Sequence, residues 1–274
     1  MSNVDQSKGN RELVSNLEES VAGILRERNL EKVNQNSEPV CYRETFYAKY
    51  VKRILDLFVA IPVLVVTLPL NIFFGIFTFF DVGRPVIFRQ TRTGKNGKSF
   101  EMIKFRNMNE NKDNDGKLLP PSQRVTSFGR FMRKYSLDEL LNFVSVLKGD
   151  MSIIGPRPMP LFIEERMSDR HRGREFVKPG IECPRVVKID RSIASSWQEE
   201  FENAVWYVEH ISFITDVKMV ILLIKMTLNF KERSKNAGGL GYFVGYDDFG
   251  HATSLNRLKM DFPNEEFLNF KKCD

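Results

Sequence analysis

The sequence is poor in the residues that build cross-linked or metal-held scaffolds. Its three cysteines, Cys41, Cys183 and Cys273, are odd in number and far apart, which excludes a disulfide framework and a CxxC metal knuckle. His171, His210 and His251 are isolated from one another and from the cysteines, and read as ordinary core or surface residues. Residues 1–20 have no apolar centre, so no cleavable signal peptide is expected there. A reducing cytosolic setting suits the free thiols. No internal repeat is found. The stretch GKNGK at 94–98 is not a phosphate loop, because it lacks the GxxxxGK[ST] frame and a following helix.

What is present bounds the class. The chain has 274 residues, 42% hydrophobic and 28% charged, with a net charge of +6. That composition excludes a wholly disordered chain, and a mean hydropathy of −0.30 excludes a polytopic membrane protein. The length allows one large domain or two small ones. Phenylalanine is abundant, 23 against 7 tyrosines and 2 tryptophans, so apolar bulk outweighs amphipathic aromatics.

Four regions follow. Residues 1–48 form a polar extension in which Leu13, Val14, Leu17, Val21, Ile24 and Leu25 mark one helical stripe, predicting a helix over about 11–30 that packs on the body or pairs with a second copy as a homodimer. Residues 49–82 contain an uncharged run, LFVAIPVLVVTLPLNIFFGIFTFF, that would extend about 36 Å as a helix and could cross a hydrocarbon core of about 30 Å. Its flanks are about equally basic: Arg43, Lys49, Lys52 and Arg53 before it, Arg84, Arg89, Arg92, Lys95 and Lys98 after it. Basic residues collect on the cytoplasmic side, so the preferred geometry is a re-entrant hairpin bent at Pro69, with a straight span as the alternative. Residues 83–232 read as a domain soluble in character. Val86–Gln90 and Ser99–Arg106 are strands joined at Asn96-Gly97. A helix is expected from about Leu137 to Leu147, and MVILLIKMTL at 219–228 suits a membrane-surface or a core helix equally. Residues 233–274 yield no reading. The fold class expected is α/β, mostly helical with a small antiparallel β-hairpin element, on a re-entrant membrane helix with surface amphipathic helices.

Chemistry concentrates around Ser136-Leu137-Asp138-Glu139. Ser136 and Glu139 are spaced as a capping box at a helix start. The same spacing places two carboxylates near Arg130, Arg133 and Lys134, where they should stay ionised and can act as a nucleophile or hold Mg²⁺ through oxygen. Lys104 and Arg106 alternate with apolar residues, so on a strand they share a face. Prolines on both sides of Arg157 in Gly155-Pro156-Arg157-Pro158 restrict how its guanidinium is presented to a phosphate.

These segments in order resemble the bacterial sugar transferases, the monotopic polyprenyl-phosphate phosphoglycosyl transferases. The resemblance covers roughly 48–230. It rests on Lys52-Arg53-Ile54-Leu55-Asp56, PVIFRQTRTGKNGKSFEMIKFRNM, FGRFMRKYSLDEL, LKGDMSIIGPRP, VKPGI and WYVEH together. It implies an enzyme of the bacterial inner membrane, with its catalytic domain on the cytoplasmic face. Such an enzyme moves a sugar-1-phosphate from a UDP-sugar to polyprenyl phosphate and so begins surface-glycan assembly. It implies Asp138 as nucleophile, Glu139 as its assistant, both as Mg²⁺ ligands, and Lys104, Arg106, Arg133 and Arg157 as phosphate ligands. Lys52, Arg53, Asp56 and Pro69 would form the membrane anchor. No nucleic-acid partner is expected. The chain departs from the family pattern at Leu68-Pro69, where Ser-Pro is usual, at Leu141-Asn142 and Ser145, and at Ala204. After VKPGI it reads Glu182-Cys183-Pro184-Arg185-Val186. The altered later part leaves a non-catalytic, membrane-anchored relative as the alternative.

Overall fold

A computed structural model describes residues 16–116, 118–228 and 241–261. Leu13, Val14 and Cys273 lie outside these, as do 229–240. In chain order come α1 (Asn16–Leu25), a π-helical turn, α2 (Glu31–Asn36), the long α3 (Lys52–Val82), β1 (Ile87–Thr93) and β2 (Ser99–Phe105). There follow α4 (Ser127–Lys134), a 3₁₀ turn (Leu137–Glu139), α5 (Asn142–Lys148), β3 (Ser152–Ile154), β4 (Gly180–Glu182), α6 (Ser196–Glu209) and α7 (Phe213–Leu228). The last are β5 (Phe243–Tyr246), β6 (Ala252–Ser254) and α8 (Leu255–Asp261), and short helical turns fill several connections. Helix predominates, as expected.

β1 and β2 form the expected antiparallel hairpin, with Phe88 opposite Lys104 and Arg92 opposite Phe100. Asn96 and Gly97 adopt φ of 56° and 72°, the left-handed conformation that an Asn-Gly turn supplies at little cost. The sequence reading missed the parallel pair β3–β4 and a second antiparallel hairpin, β5–β6. β3 and β4 meet through Gly155 and Gly180, and a Cβ on Gly180 would stand 2.1 Å from the Gly155 nitrogen. No single short apolar run announces such a contact.

The apolar run is a single helix. Pro62 and Pro69 both lie inside α3, so the expected interruption at Pro69 is not there; helical structure continues from Lys52 to Val82. Beside Pro69, the Thr67 hydroxyl donates to the Val63 carbonyl at 2.7 Å, and the Asn71 amide donates to the Thr67 hydroxyl at 3.3 Å. The chain therefore keeps a hydroxyl next to the proline, one residue earlier than the missing serine. Back-bonding of this kind favours helix bending.

Both ends of α3 pack on the same body. At the first end Lys52, Asp56 and Ala60 are buried, one turn apart, and Ala60 contacts Val146 and Met151. At the far end Phe74 packs with Phe105 and Met132, while Phe77 stacks against Phe128 at 5.9 Å. The outward faces are apolar and bare: Phe58, Val66 and Phe80 are each at least 74% exposed. By length and composition Tyr47–Val82 could cross a membrane.

α7 is longer than expected, and one of its faces bears out the core reading of 219–228. Met219 is buried among Tyr207, Val208 and Ile211. Phe213, Ile214, Val217, Ile221 and Ile224 point outward as an exposed apolar face. Tyr47 and Phe213 meet edge to face at 6.1 Å, which joins this surface to the start of α3.

The first and last described segments meet. Of the predicted stripe, Val21 and Leu25 are buried, with Ala22, against Val244, Leu255 and Leu258, while Leu17 and Ile24 are half-buried. Asn29 donates to the Tyr246 carbonyl at 2.8 Å. Arg166 joins both sides, reaching Glu19 at 2.5 Å and the Phe243 carbonyl at 2.8 Å. The described part of the polar extension is thus docked, and its partner is the described part of the segment that yielded no reading.

Candidate active site

Asp138 and Glu139 sit on the 3₁₀ turn, not on a helix start. Ser136 has φ 55° and no capping hydrogen bond from its side chain, so the expected capping box does not form. Regular helix begins only at Asn142. The reason is local: a left-handed Ser136 redirects the chain out of α4, and the short turn tucks Asp138 inward until it is 5% exposed.

Asp138 is held through Asn107, whose amide donates to it at 2.9 Å and accepts from Arg133 at 2.8 Å. Asn107 reaches this position because α4 lies against its backbone. A Cβ on Gly129 would stand 2.2 Å from the Asn107 carbonyl oxygen. Glu139 is bound directly, by Arg157 at 2.7 Å. Arg157 also reaches Glu182, at 3.4 Å.

Cations surround the pair. Lys104 lies within electrostatic reach of Asp138, Glu139, Arg92 and Arg133. Burial, then the neighbouring Glu139, raises the Asp138 carboxyl above its ordinary range, against the pull of Lys104 and Arg133. Ionisation is therefore less favoured than a helix N-terminus would have made it. Burial and the nearby Arg157 push the Arg92 guanidinium down to about 10, which leaves it charged at neutral pH. Glu139 is the foremost of the carboxylates that raise Arg157.

The structure therefore gathers Lys104, Arg133 and Arg157 around Asp138 and Glu139, and separates Arg106 from them. Arg106 follows the last residue of β2 and turns the other way. It donates to the Val82 carbonyl and pairs with Glu110 at 3.0 Å, closing the far end of α3. Arg130 is turned to the Val125 carbonyl and Ser127. Lys52, Arg53 and Asp56 hold α3 to protein. Lys52 pairs with Asp216 at 2.6 Å, Arg53 caps α5 through the Val146 and Leu147 carbonyls, and Asp56 accepts from Ser152 and Ile153 at 2.9 Å each. Pro69 lies within α3, away from these contacts.

Asn107, Arg92 and Glu182 were missed as site residues. Arg92 was findable: with a two-residue alternation and a turn at Asn96-Gly97, it shares the hairpin face of Lys104. Nothing local marks Asn107 or Glu182. Among the described residues no group of three or more His, Cys, Asp or Glu side chains gathers to hold a metal. Asp138 and Glu139 nevertheless fit Mg²⁺, which binds through one or two carboxylates and completes its shell with substrate phosphates and water.

A carboxylate pair ringed by cations thus lies on the same body as a long, largely exposed apolar helix. The chain belongs to the bacterial sugar transferase family, whose model matches residues 47–230. It is 39% identical to the uncharacterized sugar transferase EpsL of Bacillus subtilis (strain 168) over 178 residues, 65% of this chain and 87% of that protein. Over 221 residues it is 29% identical to the UDP-N-acetylgalactosamine-undecaprenyl-phosphate N-acetylgalactosaminephosphotransferase of Aeromonas hydrophila, covering 78% of this chain and 51% of that protein. With the UDP-glucose:undecaprenyl-phosphate glucose-1-phosphate transferase of Escherichia coli (strain K12) the identity is 34% over 187 residues, 62% of this chain and 40% of the relative. The chain thus spans about half or less of these two longer relatives.

Proposed function

We propose that this protein is a phosphoglycosyl transferase that moves a sugar-1-phosphate from a UDP-sugar to polyprenyl phosphate and so begins a surface glycan. The observation that carries the reading is the buried Asp138, held by Asn107 and Arg133 beside Glu139, with Lys104, Arg92 and Arg157 around it. Names of relatives that act on undecaprenyl phosphate support it.

In this reading an Asp138 carboxylate oxygen attacks the β-phosphorus. The anhydride bond breaks, its electron pair leaves with UMP, and the phosphosugar stays on Asp138. A phosphate oxygen of the polyprenyl phosphate then attacks the same phosphorus and frees the carboxylate. Asn107 and Arg133 orient the nucleophile, while Lys104, Arg92 and Arg157 offset charge on the phosphoryl oxygens. Asp138 and Glu139 would hold Mg²⁺, which would supply further neutralisation of charge on the diphosphate.

The same reading puts α3 in the cytoplasmic membrane as a re-entrant element. Its two ends pack on one body at Ala60 and at Phe74, so a straight crossing would bring that polar body into the hydrocarbon. The exposed apolar faces of α3 and α7 would then both meet lipid.

The test is UMP release from a panel of UDP-sugars with polyprenyl phosphate and Mg²⁺, beside Asp138→Asn. Release by the wild type alone is expected. The second carboxylate on Arg157, Glu182, favours one other reading, a binding relative that does not turn over. Tight UDP-sugar binding without UMP release from any donor would establish that instead.

A further inference from the structure

The family match ends at residue 230, yet the chain returns to the site beyond it. Tyr242 is half-buried immediately before β5. Its ring packs on Phe162 at 5.9 Å, and the Trp197 indole donates to the Gly241 carbonyl at 3.2 Å. The segment that holds Phe162 is in turn fastened to β1. Thr93 donates from its backbone to the Met159 carbonyl at 2.9 Å, and Arg92 donates to the Pro158 carbonyl at 3.1 Å. Tyr242 is thereby carried to the edge of the cation set, within electrostatic reach of both Arg92 and Arg133. Glu18 of α1 lies within electrostatic reach of the same phenol. No hydrogen bond to the Tyr242 hydroxyl occurs among the described residues.

We propose that Tyr242 belongs to the phosphate-binding set, its hydroxyl donating to a phosphate oxygen held between Arg92 and Arg133. The inference rests on the transferase reading above and extends it to a residue outside the family's span. Two guanidinium groups attract a dianion without selecting its orientation; a phenol on a rigid ring adds one directional donor. Burial keeps that phenol protonated through neutral pH, so it is available as a donor. The phosphate could come from the UDP-sugar or from the polyprenyl phosphate, and the experiment separates them.

Tyr242→Phe keeps the ring on Phe162 and removes only the hydroxyl. Kinetics of UMP release should show KM raised about threefold to tenfold, with kcat within about twofold of wild type and the thermal midpoint unchanged. A rise confined to UDP-sugar assigns the hydroxyl to the donor, and a rise confined to polyprenyl phosphate assigns it to the acceptor. Unchanged KM for both overturns the proposal. Absence of UMP release from the wild type with every donor defeats the transferase reading instead. Equilibrium binding of UDP and of polyprenyl phosphate in detergent then decides Tyr242 by itself: a dissociation constant weakened about threefold to tenfold for either ligand upholds its role, and equal binding of both ligands by wild type and variant overturns it.

Discussion

Asp138 is buried beside a second carboxylate, an arrangement that costs stability and is retained where reactivity requires it. Asp138→Asn is expected to lower UMP release by about a thousandfold or more while leaving the thermal midpoint equal or higher, since one of two crowded charges is removed. A lower midpoint would mean that Asp138 serves the fold. Glu175 offers a second test away from the site. Burial, then the neighbouring Glu164, pushes its carboxyl up to about 7. The folded chain therefore holds this proton more tightly than the unfolded chain does. Its contribution to stability is present below the ordinary value of 4.5 and is lost as pH rises to about 7. Glu175→Gln should stabilise the protein at pH 8 and have little effect at pH 4, as followed by thermal unfolding at the two values. At this scale the sequence was informative wherever neighbours in the chain are neighbours in space. Asp138 and Glu139 are adjacent, and Arg157 stands between two prolines. Asn107 reaches Asp138 across 31 positions of chain, so no spacing pattern could mark it.

Among elements, the contact of α4 with the Asn107 backbone is the tightest constraint on the site. Gly129→Ala should cost about 1–3 kcal/mol, because the displaced carbonyl belongs to the residue that orients Asp138. UMP release should fall by more than the loss of folded protein explains, measured on the soluble fraction after gentle heating. At the start of α3, Asp56→Ala leaves the Ser152 hydroxyl and the Ile153 amide without their acceptor. A loss of about 1–3 kcal/mol is expected in chemical denaturation in detergent. The elements themselves were legible where one period governs: the alternation of β1 and β2, the stripe of α1 and the uncharged run of α3. They were not legible where a tertiary contact overrides local preference. Pro69 signalled a break, yet the helix persists through it with Thr67 and Asn71 bonded alongside. The pair β3–β4 depends on two glycines approaching each other from 25 positions apart, which composition does not reveal.

For the whole molecule, the packing of both ends of α3 on one body predicts its orientation. Cys41, exposed ahead of the helix, is a native reporter. A cysteine placed at exposed Lys112 would report the other side. Membrane-impermeant maleimide should label both in inverted vesicles and neither in intact spheroplasts; opposite labelling would establish a straight crossing. Leu25→Ala should cost about 2–5 kcal/mol and loosen the terminal segments, which limited proteolysis would detect. The docking of α1 on β5 and α8 also bears on how the chain is made. Val21 and Leu25 leave the ribosome early, whereas Val244, Leu255 and Leu258 follow roughly two hundred residues later. At about 5–20 residues per second that is an interval of about 10–40 s. Through it an apolar stripe stays uncovered beside a long apolar helix that is still emerging. Synthesis therefore has a vulnerable period that the finished protein no longer shows, and β5 and α8 are the elements that end it.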